Sequence, residues 1–238
     1  MFNDLKDKNL WKQTLFVFIL IMIFMLPIFI KNKGILIYPG DSFEEFFQYL
    51  NGGWQKMHDC NLSFWDWSIG LGANSFSYSL YYLFSPFFWI LVLFPKRMIP
   101  YLMTFLGIIK LLCIFIFSNL WLKKLNRSEL TRFIGSCMIT FSGWIFFYFH
   151  YYNFTDAFVF FPLILYYIED FLQNGKYKGI IFSLFLLTIN NYYFLYLFIQ
   201  FLDIYLFTLK ILKLEKCLRM HLNSLFFVFL ELAWVRLF

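Results

Sequence analysis

Charge and alanine are both scarce in this 238-residue sequence: only 14% of residues are Asp, Glu, Lys or Arg, and Ala occurs only at positions 73, 157 and 233. Soluble domains are roughly half apolar and a quarter charged. A chain that is 61% hydrophobic, with a mean hydropathy of +0.67, therefore excludes water as its main solvent. Cysteine is also sparse. The four cysteines are scattered without a CxxC pair, which points to neither a zinc site nor a disulfide framework. Aromatic residues are abundant instead, with 37 Phe and 16 Tyr. An excess spread over the whole composition reads as coding bias and carries no functional weight. The net charge of +6 informs mainly through its distribution along the chain, and no nucleic-acid partner is expected.

The fold class expected is all-α: a polytopic bundle of transmembrane helices. A spanning helix needs about 20 apolar residues, fewer where charged flanks snorkel. The runs that qualify are 15–30, 101–122, 133–152, 154–172, 180–192, 193–209 and 222–238, about seven spans in a single membrane domain. Basic residues collect in cytoplasmic loops. Lys6/Lys8/Lys12, Lys123/Lys124/Arg127/Arg132, Lys176/Lys178 and Lys210/Lys213/Lys216/Arg219 all fall on that side if 77–94, interrupted by Ser85-Pro86, is interfacial or re-entrant. The N-terminus is then cytoplasmic, and 31–76 forms a long extracytoplasmic loop. The runs 180–192 and 193–209 are short and predict a shallow hairpin with Asn190 and Asn191 at its tip.

Polar groups in such a chain cost free energy wherever they face lipid, so each is a candidate for function. Tyr38-Pro39-Gly40-Asp41 breaks the chain before a short helix, with Asp41, Glu44 and Glu45 on one face; the alternative for these acids is an N-cap with carboxylates in the first turn. Asp156 follows in the second outer loop, where it is either an N-cap or the second of two carboxylates on one membrane face. Such a pair suits acid–base or metal-assisted chemistry. Lys110, deep in an apolar run, either pairs with an acid or a phosphate or snorkels; a buried ion pair with Asp203 is the simplest structural reading.

The order of several pieces resembles a family, the YfhO-type bacterial membrane proteins. These pieces are Pro39-Gly40-Asp41; Phe64-Trp65-Asp66-Trp67-Ser68-Ile69-Gly70-Leu71-Gly72-Ala73-Asn74; Tyr81-Tyr82-Leu83-Phe84-Ser85-Pro86; Ser142-Gly143 followed by Asp156; and Asn190-Asn191-Tyr192-Tyr193. The resemblance covers positions 35 to 209. It implies a GT-C-like glycosyltransferase that moves a sugar from a polyprenyl-phosphate donor to a teichoic-acid-like acceptor of the cell envelope. It also implies amphipathic helices and a catalytic Asp in the first outer loop, a second acid in the next, and a bacterial plasma-membrane location. Members of that family are several times longer, so the chain is expected to be an N-terminal fragment.

On this reading Asp41 and Asp156 are the catalytic residues. Lys110, Trp65, Trp67, Tyr82, Asn190 and Asn191 bind substrate. Lys110, Lys96 or Arg97, or a divalent metal such as Mg or Mn held by Asp41 and Asp156, balances the charge of the phosphate. Membrane lipid, the lipid-linked sugar and the glycopolymer acceptor are the partners. The competing expectations are a transporter or flippase for a lipid-linked intermediate and an inactive truncated remnant.

Overall fold

The computed structural model describes residues 1, 4–37, 39–61, 63–79, 82–149 and 151–212. The expected run 222–238 lies outside the described residues, as do Tyr81, His150 and Cys217. The chain divides into two compact units, Met1–Leu195 and Tyr196–Phe238. All that follows concerns the first, apart from the bounds of the helix that crosses into the second.

Helix α1 (Lys8–Lys31) starts at Asp7, whose carboxylate accepts from the backbone N–H of Asn9 at 3.0 Å. Its buried positions Leu10, Thr14, Val17, Ile21 and Met25 recur at helical spacing and form one stripe. The other faces are also apolar yet exposed, Phe24 at 67% and Ile30 at 74%. A helix apolar on its uncovered side suits lipid better than water.

Helix α2 (Gln48–His58) continues from a stretch of π-helix over Ser42–Phe47. A small antiparallel hairpin follows, β1 (Trp65–Asp66) and β2 (Ala73–Asn74), paired Trp65 to Asn74 and Asp66 to Ala73. Two short helices, α3 (Ser75–Ser79) and α4 (Pro86–Val92), occupy the next stretch. Seven residues of helix rise about 10 Å, so the expected interfacial segment 77–94 holds no helix able to cross a bilayer among the described residues.

Helix α5 (Ile99–Lys124) is the hub, packing on α1, α4, α6 and α8. Of its most apolar window 61% is buried, against 22% for α1, so α5 forms the core and α1 lines its edge. Helices α6 (Glu129–Thr140) and α7 (Gly143–Tyr148) follow, then α8 (Tyr152–Asn174), α9 (Lys178–Asn190) and α10 (Tyr192–Leu212).

Among the described residues, two helices are long and apolar enough to cross a membrane, Lys8–Lys31 and Lys96–Lys124; Lys178–Asn190 and Tyr192–Thr208 are shorter apolar helices. The run 133–152, read from sequence as one span, is broken. Ser142 stops α6 and caps α7, accepting from the Ile145 N–H at 3.4 Å. Helix α8 ends at Gly175, whose φ of +69° supplies the left-handed turn that favours glycine.

Polar ties fix α1 and α5 as antiparallel neighbours. At one end Lys123 pairs with Asp7 at 3.2 Å, Asn119 donates to Gln13 at 3.1 Å, and Lys124 pairs with Asp170 of α8 at 2.6 Å. There burial works to raise the Asp4 and Asp7 pKa values. Hydrogen bonds outweigh it, from Tyr166 and the N-terminal amine to Asp4 and from Lys123 to Asp7, and hold both carboxyls low. At the opposite end the Leu36 N–H donates to Thr104 Oγ1 at 2.8 Å, and described residues between α1 and α5 form a layer there, Ser42–Phe47 packing on α8 and α4 on α5.

Candidate functional site

Asp41 sits at the start of the π-helix but does not cap it. Its backbone is already helical and its side chain accepts no capping hydrogen bond. Gly40 takes that role, with φ +93° and a carbonyl that accepts from the Phe43 and Glu44 N–H groups at 2.9 and 2.8 Å. The Asp41 carboxylate is thereby left exposed beside Tyr151, whose hydroxyl feels its charge.

Phe46 drives this approach. It is 2% exposed and inserts edge-on against Tyr151 and Phe154, at 5.5 and 6.0 Å between ring centroids. Tyr148 and Phe194 extend the same aromatic wall. One turn after Asp41, Glu45 is raised above the ordinary carboxyl range by burial and by the Asp41 charge, against a hydrogen bond from Tyr49.

Asp156 is placed otherwise than the sequence reading expected. It belongs to the body of α8, not to a loop, and is fully buried. Lys110 Nζ lies 2.6 Å from its Oδ1 and donates to the Tyr152 carbonyl at 2.8 Å, while Asn190 Nδ2 donates to its Oδ2 at 3.1 Å. The ammonium also sits 3.1 Å from the centroid of the Tyr152 ring. Lys110 is about 17 Å along α5 from Ile99, in the middle of that apolar helix. The acid partner of Lys110 is therefore Asp156, in place of the Asp203 suggested from sequence.

A narrow cleft lined by Leu36, Met103, Thr104, Gly107, Lys110, Phe149, Tyr152 and Thr155 reaches this pair from the layered end. The part able to hold the centre of a water molecule measures about 10 Å³, room for about one water. Neither Asp41 nor Asp156 lines it, so the cleft is not the shared carboxylate pocket that the sequence reading required. Around the ion pair, Tyr152 Oη, Asn153 Oδ1 and Asn190 Oδ1 are buried without a hydrogen-bond partner. The two amide oxygens accept and repel phosphate oxygens, so the surroundings of Lys110 suit a hydroxyl or water better than an anion.

A divalent metal does not fit here either. It would stand beside an ammonium already 2.6 Å from Asp156, and like charges that close disfavour each other. Among the described residues, no group of three or more His, Cys, Asp or Glu side chains is arranged to hold a metal.

The remaining candidates separate. Trp65 and Trp67 are 47% and 77% exposed on the hairpin and meet edge to face at 5.9 Å. Tyr82 is 3% exposed, with its ring where a Cβ on Gly53 would lie, so it offers no free face for a sugar. Asn191 accepts from the Phe194 N–H at 3.2 Å and caps the start of α10. Lys96 reaches Gln55 of α2 at 2.9 Å and stands with exposed Arg97 before α5, at the layered end. The sequence joins neither Tyr151 nor Tyr148 to Asp41. They sit far from Asp41 in the chain, and no local spacing joins them.

A mostly helical chain, whose long helices expose apolar faces and bury an ion pair, defines an integral membrane protein. The chain belongs to a family of such proteins: the family described as bacterial membrane protein YfhO matches residues 12–235. Neither the curated proteins nor the solved structures contain a match.

Proposed function

We propose that this chain is a multi-pass, GT-C-like glycosyltransferase with a cytoplasmic N-terminus, transferring a sugar from a polyprenyl-phosphate donor to an extracytoplasmic, teichoic-acid-like acceptor. The observation that carries this reading is the exposed Asp41 carboxylate, free of a capping role and standing beside Tyr151 and an aromatic wall at one end of the apolar helices.

A lipid-phosphate donor keeps its reactive carbon just outside the acyl chains, at the level of such a layer. Asp41 takes the proton of an acceptor hydroxyl, whose oxygen attacks the anomeric carbon. The bond from that carbon to the phosphate oxygen breaks, and polyprenyl phosphate leaves with the electron pair. Lys96 and Arg97 are the cations at this end that can meet its charge. The Asp156–Lys110 pair acts as a positioning element: it pins α5 to α8, through Asn190 to α9, and so sets where Tyr151 meets Asp41. Basic clusters at the Lys8, Lys123 and Lys176 end support the orientation.

The test uses the full chain in proteoliposomes, with polyprenyl phosphate carrying a radiolabelled hexose and a glycerol-phosphate polymer as acceptor. Asp41→Asn lowers transfer by about 10²- to 10⁴-fold at unchanged protein yield and thermal stability. Transfer at the wild-type rate overturns the assignment.

A second reading, movement of a lipid-linked intermediate, is favoured by the depth of the Lys110–Asp156 pair. In that case Asp41→Asn is silent and Asp156→Asn stops a fluorescent polyprenyl phosphate from crossing the vesicle.

A further inference from the structure

The hairpin of β1 and β2 is rigid, yet it displays its largest apolar side chains. Asp66 anchors it to α2 and α3, pairing with Lys56 at 2.6 Å and accepting from the Tyr78 hydroxyl. The other carboxylate oxygen accepts from the Ser68 N–H and Oγ at 2.8 and 2.6 Å, which fixes the turn. Gly72, at φ +101°, has the Trp65 indole where a Cβ would stand, and its N–H donates to the Ile69 carbonyl at 2.9 Å. Ile69 and Ala73 pack inward on the core. Phe64, Trp67 and Leu71 are nevertheless 83%, 77% and 97% exposed, and a hairpin pinned this way cannot fold over to cover them.

We propose that the tip of this hairpin is inserted in the headgroup–acyl boundary of the adjoining leaflet, with Trp67 and Leu71 solvated by lipid. Four observations select lipid as the occupant. The hairpin is tied through Lys56 and Tyr78 to the residues that join α1 to α5, the two helices long and apolar enough to cross a membrane. Its single charge, Asp66, is neutralised by Lys56, and no ionisable side chain occurs from Trp67 to Asn74. Apolar exposure continues just after α4 and at the start of α5, at Leu93, Phe94 and Tyr101. Finally, Trp belongs to the interfacial belt, whereas Leu71 has nothing to offer the hydroxyls of a sugar.

The inference stands apart from the sugar-transfer reading and survives its failure. The experiment places an environment-sensitive NBD label at Leu71→Cys, in a full chain with its four cysteines replaced, reconstituted in phosphatidylcholine–phosphatidylglycerol vesicles. Leu71 is nearly fully exposed, so the substitution leaves folding intact. The comparison label sits on Cys60, exposed and retained in a second chain with only the other three cysteines replaced. Insertion predicts blue-shifted emission at 71, quenching by lipid carrying a shallow doxyl group, and iodide quenching at least about threefold weaker than at 60. Equal iodide quenching at both positions, with no effect of doxyl lipid, overturns the proposal. So does iodide access at 71 that is lost only when the glycerol-phosphate polymer is added, which would assign the tip to carbohydrate.

Discussion

The Lys56–Asp66 and Lys110–Asp156 pairs have the same length, 2.6 Å, and different surroundings. Lys56–Asp66 joins α2 to the hairpin in the surface layer, part open to solvent, with Tyr78, Ser75 and Ser68 completing its hydrogen bonds. Lys110–Asp156 joins α5 to α8 with side chains 1% and 0% exposed. Separation alone does not rank them. The attraction grows as the effective dielectric falls, but so does the cost of taking each charge out of water. The surface pair is a local clasp that can be lost without harming the bundle. The buried pair is an obligation: once one partner is present, the other has to be there.

The largest effect expected follows from breaking that obligation. Lys110→Met leaves a buried carboxylate unpaired and costs about 3–5 kcal/mol, read as lost thermal stability of the purified chain in detergent. Lys110→Met with Asp156→Leu returns most of that loss, because an apolar pair of similar volume replaces both charges. A double variant as unstable as the single would show that the pair contributes through something other than charge burial.

Lys56→Met is milder, about 1 kcal/mol, as for a partly solvated pair, and its visible consequence is faster proteolysis of the hairpin with the helices intact. An effect as large as that of Lys110→Met would erase the contrast.

The smallest effect is one of pH. Burial acts to raise the Asp66 pKa, but hydrogen bonds from Lys56, Ser68 and Tyr78 outweigh it and hold the carboxyl well below the usual range. A depressed folded value means that the stabilisation is complete above the unfolded pKa of about 4 and fades as the pH falls below it. For Lys56, burial acts downward, but Asp66 and Tyr78 raise the ammonium above its ordinary value. Its contribution is complete below about 10.4 and fades as the pH rises through the raised folded value. Thermal unfolding at pH 7 and pH 3.5 therefore differs less in Asp66→Asn than in wild type; equal differences would remove the clasp.

Much of the helix content was legible in the sequence. The apolar runs of α1 and α5, the Ser85-Pro86 interruption and the Asn190–Asn191 break between α9 and α10 all register locally, through hydropathy, proline and helix ends. The break at Ser142 was not read, although Ser-Gly stands in plain view, because an apolar run reads as one span whether or not a cap divides it. Asp156 was placed in a loop for a similar reason: a polar residue near an expected helix start looks like a cap until the helix is seen to begin at Tyr152.

The sequence by itself determined that this chain resides in lipid, that it is helical, and which few polar groups have to find partners. Those properties follow from transfer free energies and local backbone preferences, which each residue carries with it. Only the tertiary structure decided the partnerships: Lys110 with Asp156, and Lys56 with Asp66. Contacts between residues distant in the chain depend on how helices and hairpin pack, and no local pattern encodes that packing.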